Sequence, residues 1–237
     1  MRTKFKLMLL LIMFLFTFET FASSQYDWEM VRDEDGIQVY LKEFWADDIK
    51  SFKGIIQINS SVDSLLAVIV DIDACTDWVH RCKNPLLLFR KSFSESYHYQ
   101  VHQLPFPAHN REFIFRSRIS RSPQTGEVRI QMEAIPEFCQ QNVKACSLIP
   151  KSSLVRVEHS HGQYLLEPVA HNITRVTWTH HTNPGGNLPL WLVNQLIKAM
   201  PYHTLQGLRK KVFNHKYQKA RLVLNAQGAI TDLVGIE

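Results

Sequence analysis

The stretch HHTNPGGNLPLWLVN, residues 180–194, changes character at its centre. A polar run with strand-like alternation ends at the Pro-Gly-Gly turn at 184–186, and an apolar run with helical spacing follows. Asn187 is the predicted N-cap of this helix, and Pro189 falls in the first turn, where its missing N–H does no harm. The stretch therefore predicts a strand that ends in a tight turn and a C-terminal helix that begins directly after it.

The positions downstream of the turn keep one mostly apolar helical face over about 25 to 30 residues. They are Leu188, Trp191, Leu192, Gln195, Leu196, Ala199, Met200, His203, Leu208 and Val212. Pro201 lies inside this run and predicts a kink. A long helix with one apolar face must pack that face against another layer of the fold.

Upstream of the turn, the sequence alternates between apolar and polar residues, as strands with one buried face do. The alternating runs are 36–41, 52–58, 86–93, 97–104, 111–120, 128–134, 154–158, 162–167 and 174–181. One short helix is predicted at 62–69, with Ser60 or Ser61 as its N-cap and Asp63 in its first turn. This order predicts an α+β domain built on a long antiparallel meander with one wet and one dry face.

The long helix is expected to cover the dry face of this sheet, because an exposed apolar face of that size would aggregate. A strongly curved sheet that wraps around a helix often leaves a cavity between the two. We therefore expect a ligand site, if there is one, between the sheet and the last helix.

Several short motifs occur in an order that is typical of one known family. They are the string at 183–194, Asp35-Gly36-Ile37 with Val39-Tyr40, Trp78 after the first helix, Asn110-Arg111-Glu112 at the start of a central strand, Leu166-Glu167-Pro168, and His181-Thr182. Over residues 26–225 the chain resembles the bacterial START (StAR-related lipid-transfer) domains. The resemblance implies a helix-grip fold, in which a curved antiparallel β-sheet wraps around a long C-terminal α-helix and leaves an internal hydrophobic cavity.

The resemblance also implies a function, which is to bind one hydrophobic ligand such as a lipid or sterol and to transfer it between membranes, without catalytic residues or a cofactor. Two features depart from the family pattern. Glu112 stands where Asp is more usual, and residues 136–150 look like an insertion. Residues 226–237 form a tail without a strong pattern, outside the resemblance.

The candidate ligand-binding residues are apolar side chains predicted on the concave face of the sheet and on the helix. The strands supply Phe113, Phe115, Ile130, Met132, Val176 and Trp178, and the helix supplies Trp191, Leu192, Leu196 and Met200. A fully packed core would contain the same residue types. Their assignment to a cavity therefore depends on the resemblance.

Arg111 has the same strand parity as Phe113 and Phe115, whereas Glu112 faces the other way. Arg111 is therefore a candidate buried charge that recognises a polar head group or pairs with a carboxylate. The alternative is an arginine at a strand end with its guanidinium in solvent.

The first residues have the layout of a secretory signal peptide, predicted over residues 1–22. Arg2, Lys4 and Lys6 precede an uncharged run at 7–18, and small residues follow it. A membrane anchor is the alternative, but this run is shorter than the roughly 20 residues that cross a bilayer. We expect an exported protein, periplasmic or secreted, and monomeric.

The net charge of +5 includes the three basic residues of the predicted signal. The rest of the chain is therefore only weakly basic. This charge is compatible with transient contact with an anionic membrane surface. It lacks the concentrated basic stripe of a nucleic-acid-binding protein, so no nucleic-acid partner is predicted.

The four cysteines fall into two equally spaced pairs, Cys75 with Cys82 and Cys139 with Cys146. An even number of cysteines in an exported chain indicates disulfides, and loop closure favours these local pairs among the three possible pairings. Two pairs of free thiols remain an alternative. A zinc site is disfavoured because the spacing is wider than usual.

Two other classes of function stay open from the sequence. One is an enzyme of the helix-grip type, similar to cyclases or hydratases, although no GxSxG elbow or phosphate-binding glycine loop is present. The other is an interaction module of the cell envelope with a closed interior. The eleven histidines show no HExxH motif or comparable array, so no metal site is predicted.

Overall fold

The computed structural model describes residues 28–44, 48–150 and 154–236. The predicted signal peptide at 1–22 lies outside the described residues. Within them, no helix is both long and apolar enough to cross a membrane.

The described part of the chain begins with three strands, β1 (Glu29–Glu34), β2 (Ile37–Lys42) and β3 (Ser51–Ile58). The short helix α1 (Val62–Val70) follows, and its N-cap is Ser61, whose hydroxyl oxygen accepts a hydrogen bond from the Ser64 backbone N–H at 3.1 Å. This is the short capped helix that the sequence predicts. A 3-10 turn (Ile72–Ala74) and the single-turn helix α2 (Cys75–Trp78) then lead back to the sheet.

Seven further strands complete the main sheet. They are β4 (Cys82–Ser92), β5 (Glu95–His102), β6 (Arg111–Arg121), β7 (Val128–Ala134), β8 (Val155–Arg156), β9 (His159–Ala170) and β10 (Ile173–Asn183). The strands are ordered β1-β2-β3-β10-β9-β7-β6-β5-β4, with antiparallel neighbours throughout. The two-residue strand β8 departs from the predicted meander, because it pairs with the start of β6 in parallel.

The long helix α4 (Leu190–Lys211) lies on the concave face of this curved sheet. The helix continues through Pro201. Its first half borders a cavity, and its second half packs in the hydrophobic core. Leu205 and Leu208 in the second half are fully buried in the core. Gly54 on β3 permits this close approach, because a Cβ there would lie 2.7 Å from a Leu205 methyl group. The predicted α+β helix-grip architecture is confirmed.

The prediction that one face of the sheet is exposed to solvent is wrong for β5 and β6. A segment between β7 and β8 covers their convex face, and it contains helix α3 (Phe138–Gln141) and a 3-10 turn (Ala145–Leu148). The buried residues of this outer cluster are Leu88, Tyr99, Val101 and Ile114, packed against Phe138, Cys139, Cys146 and Ile149 among others. The predicted insertion is thus a second layer, and it is closed by the Cys139–Cys146 disulfide, with the two Cα atoms 5.6 Å apart.

The C-terminal segment also differs from the expectation of a patternless tail. After helix α5 (His215–Gln218), strands β11 (Arg221–Leu224) and β12 (Ile230–Val234) form a hairpin. Ile230 and Leu233 are buried in the main core. The Leu222 backbone N–H donates a 2.9 Å hydrogen bond to the Asp63 carboxylate, which joins the hairpin to the start of α1.

Candidate functional site

A cavity lies between the first half of α4 and the concave face of the sheet. Its walls are mostly apolar and aromatic, and it opens to solvent. Its volume is about 170 Å³. This is below the roughly 300–1,000 Å³ of typical small-molecule pockets.

Eight of the eleven predicted ligand-binding residues line this cavity. They are Arg111, Phe113, Phe115, Ile130, Met132, Trp178, Leu196 and Met200. The inward orientation of the six strand residues follows from strand alternation on β6, β7 and β10, and Leu196 and Met200 lie on the cavity side of α4. Contact of these residues with a ligand remains a prediction.

The other three predicted residues do not line the cavity. Val176 is fully buried in the packed core beyond the cavity, and Leu192 is buried outside the lining. Trp191 is 68% exposed. The helix contributes Val193 and Ile197 together with Leu196 and Met200. Helix α4 begins at Leu190, and its N-cap is Pro189. The prediction of Asn187 as the cap was therefore wrong.

Strand β5 contributes a polar stripe that the sequence analysis missed. Ser96, His98, Gln100 and His102 all line the cavity. The apolar residues between them face the outer cluster instead. Cross-strand register could have found the stripe, because His98 pairs with Phe115 and Gln100 pairs with Phe113. Directly paired residues lie on the same face of a sheet.

Arg111 is 3% exposed, and backbone carbonyl groups hold its guanidinium. Nε donates to the Pro184 carbonyl at 2.6 Å, Nη2 donates to the Gly185 carbonyl at 2.8 Å, and Nη1 donates to the His109 carbonyl. Among the described residues no carboxylate accepts a hydrogen bond from it. Burial lowers the pKa of this guanidinium from its usual value. Arg111 thus joins the start of β6 to two loops, at 105–109 and 184–187.

The turn at 184–186 presents its carbonyl groups to Arg111 because two successive residues adopt left-handed backbone conformations. The φ angles are 63° at Gly185 and 65° at Gly186, a region that only glycine enters at little cost. Asn183 supports the turn by accepting a 3.0 Å hydrogen bond from the Gly185 N–H. Gly185 and Gly186 therefore allow the strand-to-helix junction to be hydrogen-bonded to Arg111 at the start of β6.

Glu112 faces the opposite way, as the alternation predicts. Its carboxylate accepts two hydrogen bonds from Arg156, at 2.9 and 2.7 Å, and one from the Tyr99 hydroxyl at 3.0 Å. Glu112 is therefore part of the outer layer and does not reach the cavity.

The histidines of the cavity wall are held neutral by burial. Desolvation lowers the pKa values of His98 and His102 to about 4. For His180, burial and then the neighbouring histidines, His161 first, lower the pKa to about 3. No group of three or more metal-ligating side chains suited to a metal ion occurs in the part of the chain that the structure describes.

The disulfide between Cys75 and Cys82 forms part of the same wall. The two Cα atoms lie 6.0 Å apart, and Cys75 lines the cavity. Its sulfur atom contacts the Gln100 side-chain oxygen at 3.5 Å. Since a disulfide sulfur carries no hydrogen, this contact is packing and leaves the oxygen without a donor from that side.

The fold and the site together define a helix-grip domain with a largely apolar cavity beneath its last helix. The model of the START domain family matches residues 17–218, so the chain belongs to this family.

Three similar proteins illustrate the relationship. An uncharacterized protein of Pseudomonas aeruginosa is 27% identical over 183 residues, 77% of this chain and 85% of its own. Rat phosphatidylcholine transfer protein is 26% identical over 174 residues, 73% of this chain and 77% of its own. The crystal structure of a STAR-related lipid transfer protein fragment from Xanthomonas axonopodis is 27% identical, with a TM-score of 0.68, and the match covers 78% of this chain and 98% of that fragment.

Proposed function

We propose that this protein binds one amphipathic lipid in the cavity beneath α4 and carries it between membranes. The observation that carries the proposal is the apolar and aromatic lining of a cavity in a START domain. Relatives that are named for lipid transfer support the same general function. Burial of a lipid chain is favourable by about 0.8 kcal/mol for each methylene removed from water.

Loading requires the cavity to expand, because its free volume is small for a lipid. The first half of α4 and the two loops held by Arg111 are the moving parts in this proposal. Arg111 contacts both loops, so they lie at one end of the sheet. Phe106 in one loop is 97% exposed, and Trp191 just beyond the other is 68% exposed. These two side chains are suited to insertion into a membrane surface during exchange.

The first experiment identifies a retained ligand. Native mass spectrometry and organic extraction of the purified protein should yield an intact lipid at up to one molecule per chain. A delipidated sample should then bind a fluorescent lipid. Absence of lipid in both measurements would contradict the proposal and favour an envelope interaction module with a closed interior.

A cavity-filling variant tests where the lipid binds. Leu196→Trp adds bulk on the cavity side of α4 and should lower lipid affinity at least tenfold. Gln195→Trp adds the same side chain at an exposed neighbouring position and serves as the control. Equal lipid affinity for both variants would place the ligand elsewhere.

Transfer is tested with donor and acceptor vesicles. The double variant Phe106→Ala and Trp191→Ala should slow transfer while leaving equilibrium binding of the lipid unchanged. If a basic surface assists docking on anionic vesicles, transfer should also slow as salt rises. Transfer that is independent of salt would refute this electrostatic contribution.

The enzyme alternative receives less support from the cavity. Asp71 is the only acidic residue among the described lining residues, and its carboxylate accepts hydrogen bonds from Lys216 and Tyr217 at 2.6 and 2.7 Å. None of the described cavity histidines is hydrogen-bonded to a carboxylate. Recovery of a chemically altered lipid after incubation would favour an enzyme.

Export is the proposed route to the compartment of action. The two disulfides are consistent with an oxidising compartment. Cell fractionation combined with N-terminal sequencing of the mature protein tests this proposal. An uncleaved chain in the cytosolic fraction would contradict it.

A further inference from the structure

Four side chains that line the cavity carry a buried nitrogen without a hydrogen-bond partner. These atoms are Nε1 of Trp78, Nδ1 of His98, Nε1 of Trp178 and Nδ1 of His180. All four residues are less than 10% exposed. Buried polar atoms are paired in the great majority of cases, so four unpaired atoms around one cavity are a departure that needs an explanation. We call these four residues the polar wall.

Aromatic contacts connect the polar wall into one continuous surface. The ring centroids of Trp178 and His180 lie 5.9 Å apart. Tyr164 lies between the two indoles, with centroids 6.2 Å from Trp78 and 4.9 Å from Trp178. Phe115 links His180 to His98, with centroid distances of 6.1 and 5.7 Å. The four residues therefore belong to one connected part of the cavity wall, and their nitrogens, which neighbouring atoms cover in this structure, become available to a ligand when the cavity expands on loading.

Two further polar groups beside this surface, one end of the Gln100 amide and the Tyr164 hydroxyl, also lack a hydrogen-bond partner within the described chain. The Gln100 amide bonds to His102 at 2.9 Å with one end and contacts the disulfide sulfurs with the other. In either orientation of the amide, one polar end has only sulfur beside it. The Tyr164 hydroxyl, in turn, forms no hydrogen bond with the described residues, and burial raises its pKa well above the usual value.

The chemistry of the polar wall restricts what can satisfy it. An indole N–H only donates, so Trp78 and Trp178 require acceptor atoms. The four residues are uncharged at neutral pH, since the two imidazoles remain neutral. A buried anion would lose its hydration and gain no counter-charge from these four neutral groups. A neutral oxygen, such as that of an ester or amide carbonyl, can accept these hydrogen bonds without that cost.

We propose that the polar wall is a subsite for the neutral carbonyl oxygens of an acyl lipid. The inference rests on the proposed function and deepens it, because it specifies the class of ligand. Ester-linked or amide-linked acyl chains present such oxygens next to their hydrocarbon. Hydrocarbons, dialkyl ethers and sterols have no carbonyl oxygen to offer. The apolar remainder of the cavity then surrounds the chains.

The test compares two phospholipids that share head group and chain length but differ in linkage, one diacyl and one dialkyl. Each competes with a fluorescent lipid for the delipidated protein. We expect the diacyl lipid to bind about tenfold more tightly, which corresponds to about 1.4 kcal/mol. Trp178→Phe and Trp78→Phe keep an aromatic ring and remove the N–H, so each should reduce this preference at least threefold.

Trp28→Phe is the matched control. Trp28 lies outside the cavity lining, with its ring 4.8 Å from the Lys53 ammonium. The same indole N–H is removed there, and the preference for the diacyl lipid should stay at its wild-type value. Thermal unfolding of each variant shows that it is folded, and if one cavity variant fails to fold, the other decides.

The outcomes separate this inference from the proposed function. Equal affinity of the wild-type protein for both phospholipids, or binding of a sterol alone, overturns the carbonyl subsite and leaves lipid binding intact. A preference that persists in a folded Trp178→Phe or Trp78→Phe protein also overturns it. If neither phospholipid nor a sterol binds the wild-type protein, the proposed function itself is wrong.

Discussion

Replacement of Arg111 by methionine is the sharpest test of how the strand-to-helix junction is held. Methionine retains an unbranched side chain and removes the guanidinium, which donates hydrogen bonds to three carbonyl groups. The substitution leaves those carbonyls without their donor, although water can reach part of this region because Pro184 and Gly185 are only half-buried. With about 1 kcal/mol for each net hydrogen bond, we expect a loss of roughly 3 kcal/mol in the free energy of unfolding.

The measurement is urea and thermal unfolding of the delipidated protein. For a domain of this size, a loss of 3 kcal/mol lowers Tm by roughly 6 to 12 °C. Arg118→Met is the control on the same strand. Its exposed guanidinium lies 3.5 Å from the Glu133 carboxylate, and such a surface ion pair contributes about 1 kcal/mol or less.

The competing hypothesis assigns the charge of Arg111 to a ligand head group. It predicts that Arg111→Met lowers lipid affinity while leaving the free energy of unfolding within about 1 kcal/mol of the wild-type value. That result would refute our reasoning, which makes Arg111 a structural residue of the junction. A large loss of stability with unchanged affinity in the folded fraction supports it.

The Cys139–Cys146 disulfide, the buried histidines and Gly162 are the subjects of three further predictions. Cys139→Ala with Cys146→Ala opens a short loop and should lower the free energy of unfolding by about 2.5 kcal/mol in urea titrations; an unchanged midpoint would show that the outer layer holds without the bond. Because burial depresses the pKa values of His98 to about 4 and of His180 to about 3, the unfolded chain binds more protons than the folded chain below about pH 6.5. Stability should therefore fall from pH 6.5 towards pH 4, by up to about 1.4 kcal/mol per pH unit for each histidine, and less steeply in His98→Gln; a flat profile from pH 7 to 5 contradicts this. Gly162→Ala would place a Cβ 2.2 Å from the His180 imidazole and 2.4 Å from the Thr179 backbone oxygen, so we expect the ring and the adjoining part of β10 to shift and lipid binding to weaken, whereas wild-type affinity would show that the position of His180 does not matter for binding.

Long periodic segments made most of the architecture predictable. Strand β7 has the predicted bounds of 128–134, and α1 extends only one residue beyond the predicted 62–69. These segments have an unambiguous period and clear stop signals, so local sequence determines them. The family resemblance supplied the cavity, which periodicity alone could not distinguish from a filled core.

The candidate site was harder to predict where neighbouring residues are equally apolar. Trp191, Leu192 and Val193 are consecutive, and only the packing of α4 on the sheet decides that Val193 faces the cavity. On β5 the apolar side chains turn outward because the layer at 135–149 covers them. That layer lies more than 30 residues downstream, so no local pattern in β5 could reveal it.

Because of the C-terminal hairpin, the folded domain extends beyond the last residue that the START family model matches. The family match ends at residue 218, yet Ala220, Ile230 and Leu233 are buried in the core beyond that point. A protein truncated after 218 would retain every cavity residue and still expose the apolar surface that the hairpin covers, including part of α1. Such a protein should self-associate. Lipid binding measured on it would include lipid bound to the exposed apolar surface as well as lipid bound in the cavity. Assays of ligand specificity are therefore interpretable only on a chain that extends through residue 234.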